Sequence, residues 1–324
     1  MSLASKAASR TERSEKNQAV EVRLPASTSN LGAGFDCFGL ALQLYLTVRA
    51  TVDLKSRVKC RMHIRGGKHN ASLPRNAENL IYRSLKYVAA REAAVLPPLH
   101  LAVHNEVPVG RGLGSSATAI VAGIKLFELL YDVELANEKV LQYATEFESH
   151  ADNVAATLLG GFVVTCNSRE GIIAIKRTWP SEVKIVVVSP ELHLETKLAR
   201  AALPSRVYHA DGVFNLQRAA LFNAAIFEQR YDLLWEAMQD RLHQQRRSSL
   251  VPGLAETLAI PKQPGLLGIA LSGGGPSVLA LAQDHFEEIG AALARGFERQ
   301  GIKTRVRQLE IDTAGCQGRV LRGG

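Results

Sequence analysis

The segment Pro108-Val-Gly-Arg-Gly-Leu-Gly-Ser-Ser-Ala117 sets glycines at 110, 112 and 114 and follows them at once with two hydroxyls. Alternate glycines leave the backbone free to take positive φ and to approach a ligand closely. An apolar strand-like run, Leu99 to Val103, precedes the segment, and a helical run, Ala117 to Tyr131, follows it. Strand, glycine loop and helix N-terminus together make an anion site: the first N–H groups of the helix lack partners and the helix dipole favours negative charge there. A phosphate is the natural guest. The loop does not end in Gly-Lys-Ser/Thr, and its glycines are not spaced as G-x-G-x-x-G. A glycine-rich turn before a buried helix would read the same way, so the remaining motifs decide.

Two further glycine-rich stretches stand in the chain. Ala26-Ser-Thr-Ser-Asn-Leu-Gly-Ala-Gly-Phe-Asp36 puts Asn30 and Asp36 six residues apart across a turn. An asparagine in a turn ordinarily bonds nearby backbone, whereas Asp36, set among Phe35, Cys37 and Phe38, calls for a partner. Ser272-Gly-Gly-Gly-Pro276 lies between two apolar runs. Between these stretches comes Ser149-His-Ala-Asp-Asn-Val154, just beyond a run carrying Glu146 and Glu148.

The elements that must hold these motifs follow from the pattern. Ala19 to Leu24 alternates as a first strand, which Pro25 is expected to stop. Leu40 to Asp53 reads as one long strand or a pair, and Val58 to Ile64 as another. Helices are expected over Asn79 to Leu96, closed by Pro97-Pro98, and over Asn137 to Glu148, where Val140, Leu141, Ala144 and Phe147 share a face. Leu158 to Cys166 and Gly171 to Lys176 form a strand pair. Trp179-Pro180-Ser181 marks a joint. Beyond it the chain reads strand (Val183 to Val188), helices (Gly212 to Gln229 and Tyr231 to Arg246), strands (Leu266 to Leu271 and Ser277 to Ala282), helix (Asp284 to Gln300) and strand (Lys303 to Leu309). That order is ferredoxin-like. The fold class is therefore α+β in two domains: an N-terminal α/β two-layer domain with the phosphate loop over residues 19–180, and a C-terminal ferredoxin-like domain over 181–324. Residues 1–18 read as a disordered or tag-like tail.

Composition narrows the class of function. The 324-residue chain carries a net charge of +8, of which the first 19 residues supply two. No basic block, zinc motif or aromatic-plus-basic platform marks a nucleic-acid binder, so a modestly basic enzyme with anionic ligands is expected, with no nucleic-acid partner. Cys37, Cys60, Cys166 and Cys316 are scattered, against zinc and disulfides and for a reducing compartment. No apolar run reaches membrane-spanning length and the N-terminus has no apolar signal core, so a cytoplasmic protein without membrane contact is expected.

Taken together, the motifs resemble the GHMP small-molecule kinases. Pro108-x-Gly-x-Gly-Leu-Gly-Ser-Ser-Ala117 is similar to their phosphate loop and Ser272-Gly-Gly-Gly-Pro-Ser-Val278 to their C-terminal glycine motif. Pro25-Ala-Ser-Thr-Ser-Asn-Leu-Gly-Ala-Gly-Phe-Asp36 and His150-Ala-Asp-Asn-Val154 are similar to motifs of the homoserine kinases in particular. The resemblance runs from residue 25 to 278, in family order. It implies ATP as co-substrate, Mg²⁺, and in-line phosphoryl transfer to L-homoserine, a step of threonine biosynthesis, by a homodimer. ATP is then expected at Pro108, Gly110, Arg111, Gly112, Leu113, Gly114, Ser115, Ser116 and Ala117, with Ser272, Gly273, Gly274 and Gly275 as the C-terminal motif. Ser116 and Glu146 are the expected metal-side residues, with Glu148 the rival. Ser116, Glu146 and Asn153 are expected at the reacting centre, Asn153 by positioning.

The acceptor, an ammonium, a carboxylate and a hydroxyl on one small molecule, is expected at Asn30, Asp36, His150, Asp152, Arg200 and Arg247. An ammonium wants carboxylate and amide oxygens, and a carboxylate wants a guanidinium fork. Arg246 is the neighbouring rival of Arg247. The chain departs from the family pattern at Gln43, Leu46, Ala156 and Gly274. Other readings are a GHMP kinase for another small carboxylate-bearing alcohol, a hydrolase built on Ser116, His150 and Asp152, and a non-catalytic ATP and amino-acid sensor. The hydrolase lacks a G-x-S-x-G elbow, because position 118 is Thr118.

Overall fold

The computed structural model describes residues 19–321. The expected tail, residues 1–18, lies outside them. Two sheets form the frame. In the first, β1 (Ala19–Ser29) runs antiparallel to the long β2 (Phe38–Val52). Pro25 does not stop β1. The register slips between Pro25 and Ala26, and at such a bulge a residue without an N–H is tolerated, so the strand continues to Ser29. The β3 strand (Cys60–Gly66) lies parallel to β4 (Leu99–Asn105), which pairs with β2. A parallel neighbour needs a crossover, supplied by helix α1 (Leu80–Arg91), whose cap Asn79 accepts from the Ile81 N–H. Strand β5 (Phe162–Ser168) pairs with the start of β2 and with β6 (Gly171–Arg177).

Helix α2 (Ser115–Tyr131) begins at the glycine loop and is buried nearly all round, because α1 covers one side and β1 the other. Helix α3 (Asn137–Thr145) ends before Glu146, and α4 (Asp152–Leu159) starts inside the His-Ala-Asp-Asn motif. The expected helix to Glu148 is therefore one turn too long.

The second sheet has the order β10 (Thr304–Leu309), β7 (Lys184–Pro190), β9 (Val278–Ala282), β8 (Leu266–Leu271), all antiparallel, as the ferredoxin-like reading requires. Alternation divides its side chains between two cores. Ile185, Val187, Leu279 and Leu281 join the core of the first sheet, while Val186, Val188, Val278 and Ala280 pack with Leu293 and Phe297 of the amphipathic α10 (Phe286–Glu298). Covered on both faces, β7 shows an unbroken apolar run rather than alternation.

Helices α5 (Thr196–Ala201), α6 (His209–Phe227), α7 (Leu234–Ala237), α8 (Gln244–Ser248) and α9 (Leu254–Leu258) link β7 to β8. The single helix expected over Tyr231 to Arg246 is broken. The Asp240 carboxylate takes the N–H groups of Leu242, His243 and Gln244 at 3.0, 3.0 and 2.7 Å, a local competitor to helical bonding.

The chain does not end in the second unit. Gln43 N–H binds the Glu310 carbonyl, Leu42 bridges Ile311, and β11 (Gln317–Val320) pairs antiparallel with β1. The segment after Leu309 therefore rejoins the first sheet, so the two-way division at 181 does not follow the sheets. Trp179, at the expected joint, is buried and donates to the Val183 carbonyl at 2.7 Å, which makes that joint a packed corner. Among the described residues no helix is long and apolar enough to cross a membrane.

The contact between α1 and α2 depends on Gly123. A Cβ there would lie 2.3 Å from the Ile81 carbonyl oxygen and 2.7 Å from the Leu85 nitrogen, so the helices would have to part. Gly123→Ala is expected to destabilise the protein by about 1–3 kcal/mol despite alanine's better helix propensity. Urea unfolding checks this, and a variant as stable as the parent would contradict it.

Candidate active site

The glycine loop is tied down from both ends. Gly112 and Gly114 have φ of 73° and 68°, and both face close neighbours. A Cβ on Gly112 would sit 2.1 Å from the Ser272 carbonyl oxygen, and one on Gly114 2.1 Å from Ser27 Oγ. No side chain caps the start of α2, so its first N–H groups remain for a ligand. The expected architecture is present: strand, left-handed glycines, helix N-terminus.

The last three residues of β1, Ser27 to Ser29, which the alternating pattern of Ala19 to Leu24 did not reach, organise the site. Ser27 Oγ donates to Asn153 Oδ1 at 3.0 Å, and Asn153 Nδ2 donates to Ser29 Oγ at 2.8 Å. Thr28 Oγ1 and Ser272 Oγ are 2.8 Å apart, and Ser272 Oγ donates to the Gly112 carbonyl at 2.6 Å. Asn30 Nδ2 donates to the Gly273 carbonyl, while its Oδ1 accepts from the Asp36 N–H, both at 3.0 Å. The three motifs and the His-Ala-Asp-Asn turn are thus held together by buried hydroxyls and amides. The signal for Ser27, Thr28 and Ser29 was visible as a polar Ser-Thr-Ser run at the end of an otherwise apolar strand.

A cavity of about 310 Å³ opens at this junction. At one end Leu46, Ile64, Leu73, Leu80, Ile81 and Val103 make an apolar wall beside the loop, a surface that suits a flat heterocycle. At the other end lie Asn30, Asp36, Glu148, His150, Asp152, Arg200 and Arg247, with Gly273, Gly274 and Gly275 between. Gly110, Arg111, Leu113, Ser115 and Ser116 also line it. Pro108, Ala117 and Ser272 do not, and serve as buried supports. Among the departures from the family pattern, Gly274 would meet only the Ala199 methyl at 3.5 Å if it bore a Cβ. Gln43 binds the Ile311 carbonyl at 3.2 Å.

Two pairs of rival residues differ in position. Glu146 is exposed at the C-cap of α3 and outside the cavity, because the helix ends there and turns the next residues inward. Glu148 lies in the cavity instead, with Oε2 buried and without a hydrogen-bond partner. Burial raises its pKa, and the neighbouring His150 and Ser116 hydroxyl oppose the rise. Arg246 is exposed, whereas Arg247 is buried, with Nε on the Ala199 carbonyl at 3.0 Å and Nη1 on the Gly273 carbonyl at 3.2 Å. Burial and the charge of Arg200 lower the Arg247 pKa to about 10. His243 stands behind it. Its Nε2 lies 2.9 Å from the Gly32 carbonyl and its Nδ1 3.2 Å from Arg247 Nη1, a pattern that fits a neutral ring donating through Nε2. Burial lowers the His243 pKa in agreement.

The polar end is charge-balanced. Arg200 grips Asp36 with both terminal guanidinium nitrogens, Nη1 and Nη2, at 3.0 and 2.9 Å. His150 Nδ1 is 2.6 Å from Asp152 Oδ1, which also accepts from the Asn153 N–H at 2.7 Å. Burial would keep His150 neutral, but the hydrogen bond and charge of Asp152 outweigh it and lift its pKa to about 9. The same pairing, against burial, holds Asp152 below the usual carboxylate range. Asp36, His150 and Asp152 lie within 4.8 Å of one another. Within that group each carboxylate already has a partner, Asp36 in Arg200 and Asp152 in His150.

The His150–Asp152 pair has a pH signature. The folded pKa of His150 lies above its ordinary 6.5, so the pair's contribution to stability is complete below about 6.5 and is lost as pH rises through about 9. The unfolding free energy of His150→Gln should therefore fall less than that of the parent between those limits, as measured by urea titrations across the range. Parallel curves would overturn the assignment.

Comparison with known proteins gives concordant results. Residues 79–161 match the model of the GHMP kinase N-terminal domain and residues 222–299 that of the GHMP kinase C-terminal domain. The homoserine kinase of Persephonella marina is 39% identical over 306 residues, covering 93% of this chain and 99% of that protein. The homoserine kinase of Aquifex aeolicus is 41% identical over 274 residues, covering 85% and 90%. The crystal structure of homoserine kinase from Cytophaga hutchinsonii superposes with a TM-score of 0.81 at 27% identity, covering 93% of this chain and 97% of the other. The mevalonate kinase of L. major, at 14% identity and a TM-score of 0.66 over 89% and 94%, shares the fold. By motif, topology and likeness over nearly its whole length, the chain belongs to the homoserine kinase family of the GHMP kinases.

Proposed function

We propose that the protein transfers the γ-phosphoryl group of ATP to the side-chain hydroxyl of L-homoserine, giving O-phospho-L-homoserine. The observation that carries the reading is one continuous cavity with a phosphate cradle in the middle, an apolar wall at one end and a balanced set of paired charges at the other. Phosphoryl transfer through a loose transition state asks mainly for positioning and charge stabilisation. The N–H groups at the start of α2 and the left-handed glycines cradle the phosphates. The apolar wall takes the adenine.

The acceptor is a zwitterion, and the polar end offers both signs. Asp36 and Asp152 face its ammonium, with the Asn30 amide shaping the turn. Arg200 and Arg247 face its carboxylate. Asp152 is a poor general base, since His150 and the Asn153 N–H hold its charge. It orients the acceptor, and Asn153, spanning Ser27 and Ser29, locks that turn against β1.

Glu148 and Ser116 would hold Mg²⁺. A buried carboxylate oxygen without a partner, beside a hydroxyl, is the oxygen-donor set a hard cation takes when it keeps several waters. When bound, the ion supplies charge neutralisation at the phosphates. The polar end also distinguishes this reading from a kinase acting on a neutral sugar, which would bring no charged group to the two guanidinium groups and two carboxylates gathered there.

A coupled assay for ADP over a panel of small alcohols should show a preference for L-homoserine, and no preference would sink the substrate assignment. In the same assay Arg200→Ala should raise KM for homoserine at least tenfold more than KM for ATP, since a charge-assisted pair of hydrogen bonds is lost. Glu148→Gln should lower kcat by two orders of magnitude or so and raise the Mg²⁺ requirement, with Glu146→Gln near the parent. The reverse order would return the metal role to Glu146.

A further inference from the structure

Three arginines and a histidine gather just outside the glycine loop with little to balance them. Strand β10 alternates. Val306 faces α10, where it crowds Gly290, and Leu309 enters the core of the first sheet. Arg305 and Arg307 share the Leu309 face and so point toward the N-terminal half. Arg111 reaches the same place from the loop: its Nη1 donates to the Pro190 carbonyl. Pro190 is the cross-strand partner of Thr304, the residue before Arg305. His69, in the turn after β3, completes the group, its proton affinity lowered by burial and then by Arg111, Arg307 and Arg305.

The charges are nearly all of one sign. Glu191 acts on Arg111. Among the described residues, the charges that act on Arg307 are those of Arg305 and Arg111. Two nitrogens are buried without a hydrogen-bond partner, Arg307 Nη1 and His69 Nε2. A buried guanidinium donor is ordinarily satisfied and its charge paired, and the His69 ring, whose pKa burial lowers, gains a second N–H only beside an anion. Guanidinium forks match the oxygens of a phosphate, two N–H groups to two oxygens.

We infer that Arg111, Arg305, Arg307 and His69 form a binding site for a phosphate group outside the backbone cradle at the N-terminus of α2. The phosphate comes either from the nucleotide, whose proposed cavity Arg111 also lines, or from a separate phosphorylated small molecule. Only that attribution rests on the proposed kinase function.

Inorganic phosphate is the probe. Calorimetric titration should show it binding the parent protein and losing about tenfold in affinity in Arg307→Gln and in Arg305→Gln, the order expected for one charge-assisted contact. Arg57→Gln, at an exposed position in the loop after β2, should bind phosphate as the parent does. Thermal unfolding gives a second readout. Phosphate should raise the Tm of the parent more than that of Arg307→Gln, the general salt effect being common to both. Repeating the titration with a non-hydrolysable ATP analogue saturating the protein separates the sources. Retained binding assigns the site to a separate phosphorylated ligand. Displacement, with a raised KM for ATP in Arg307→Gln, assigns it to the nucleotide. Equal phosphate binding in the parent and the Arg305→Gln/Arg307→Gln double variant, or an equal loss in Arg57→Gln, overturns the inference. Failure of the kinase reading would appear separately, as no ADP release from the parent with homoserine.

Discussion

A short polar run at the end of a buried strand holds the site together. Ser27, Thr28 and Ser29 are almost fully removed from water, and each hydroxyl must find a partner there. The partners come from three distant parts of the chain: Asn153 at the start of α4, Ser272 after β8, and through Ser272 the Gly112 carbonyl of the loop. In a low-dielectric setting such a network is strong when complete and costly when one member is lost. It joins the two sheets, which share no strand pair among the described residues. The bulge at Pro25/Ala26 matters for the same reason, because it lets β1 run on to Ser29. The glycines complete the arrangement by letting loop backbone approach where any Cβ would collide with Ser27 or Ser272.

This explains which parts of the molecule the sequence disclosed. Strand and helix types were legible wherever a periodicity met a core, as in β1, β2, β7 and α10. The phosphate cradle was legible because its glycines and following hydroxyls have few other uses. Features set by single tertiary contacts were not. Nothing in Gln317 to Val320, a four-residue exposed strand, announces that it pairs with β1. The break after Ala237 depends on Asp240 taking three backbone N–H groups, and an aspartate inside a helical pattern carries no sign of that choice. Glu146 and Glu148 are two residues apart in the sequence, and which one turns inward depends on where α3 stops. Arg246 and Arg247 differ likewise only by the orientation of one short helix.

The polar end of the cavity shows how a protein keeps several charges in a small volume. Arg200 with Asp36 and His150 with Asp152 are two neutral pairs, and Arg247 is spread over two carbonyls with a neutral His243 behind it. Each pair satisfies the partner's desolvation cost, so none needs to shed its charge at neutral pH. Such a site is already arranged for an ammonium and a carboxylate on one small molecule. On the proposed reading the acceptor adds one positive and one negative group to a set that has equal places for both, and the net charge beside the transferring phosphoryl is unchanged by binding it.

Glu148 is the exception in this balance and therefore the informative residue. One of its oxygens is buried and left over, and burial raises its pKa against the opposing charges of His150 and Arg200. The nearby cations are committed elsewhere, His150 to Asp152 and Arg200 to Asp36. A divalent cation held by Glu148 and Ser116 would supply the positive charge that its carboxylate lacks. The same logic applied outside the loop has the opposite sign. There Arg305, Arg307 and Arg111 repel one another, and the missing group is an anion. A structure that pairs its charges so carefully at the acceptor end leaves two incompletely paired sets, one of each sign, near the phosphate cradle.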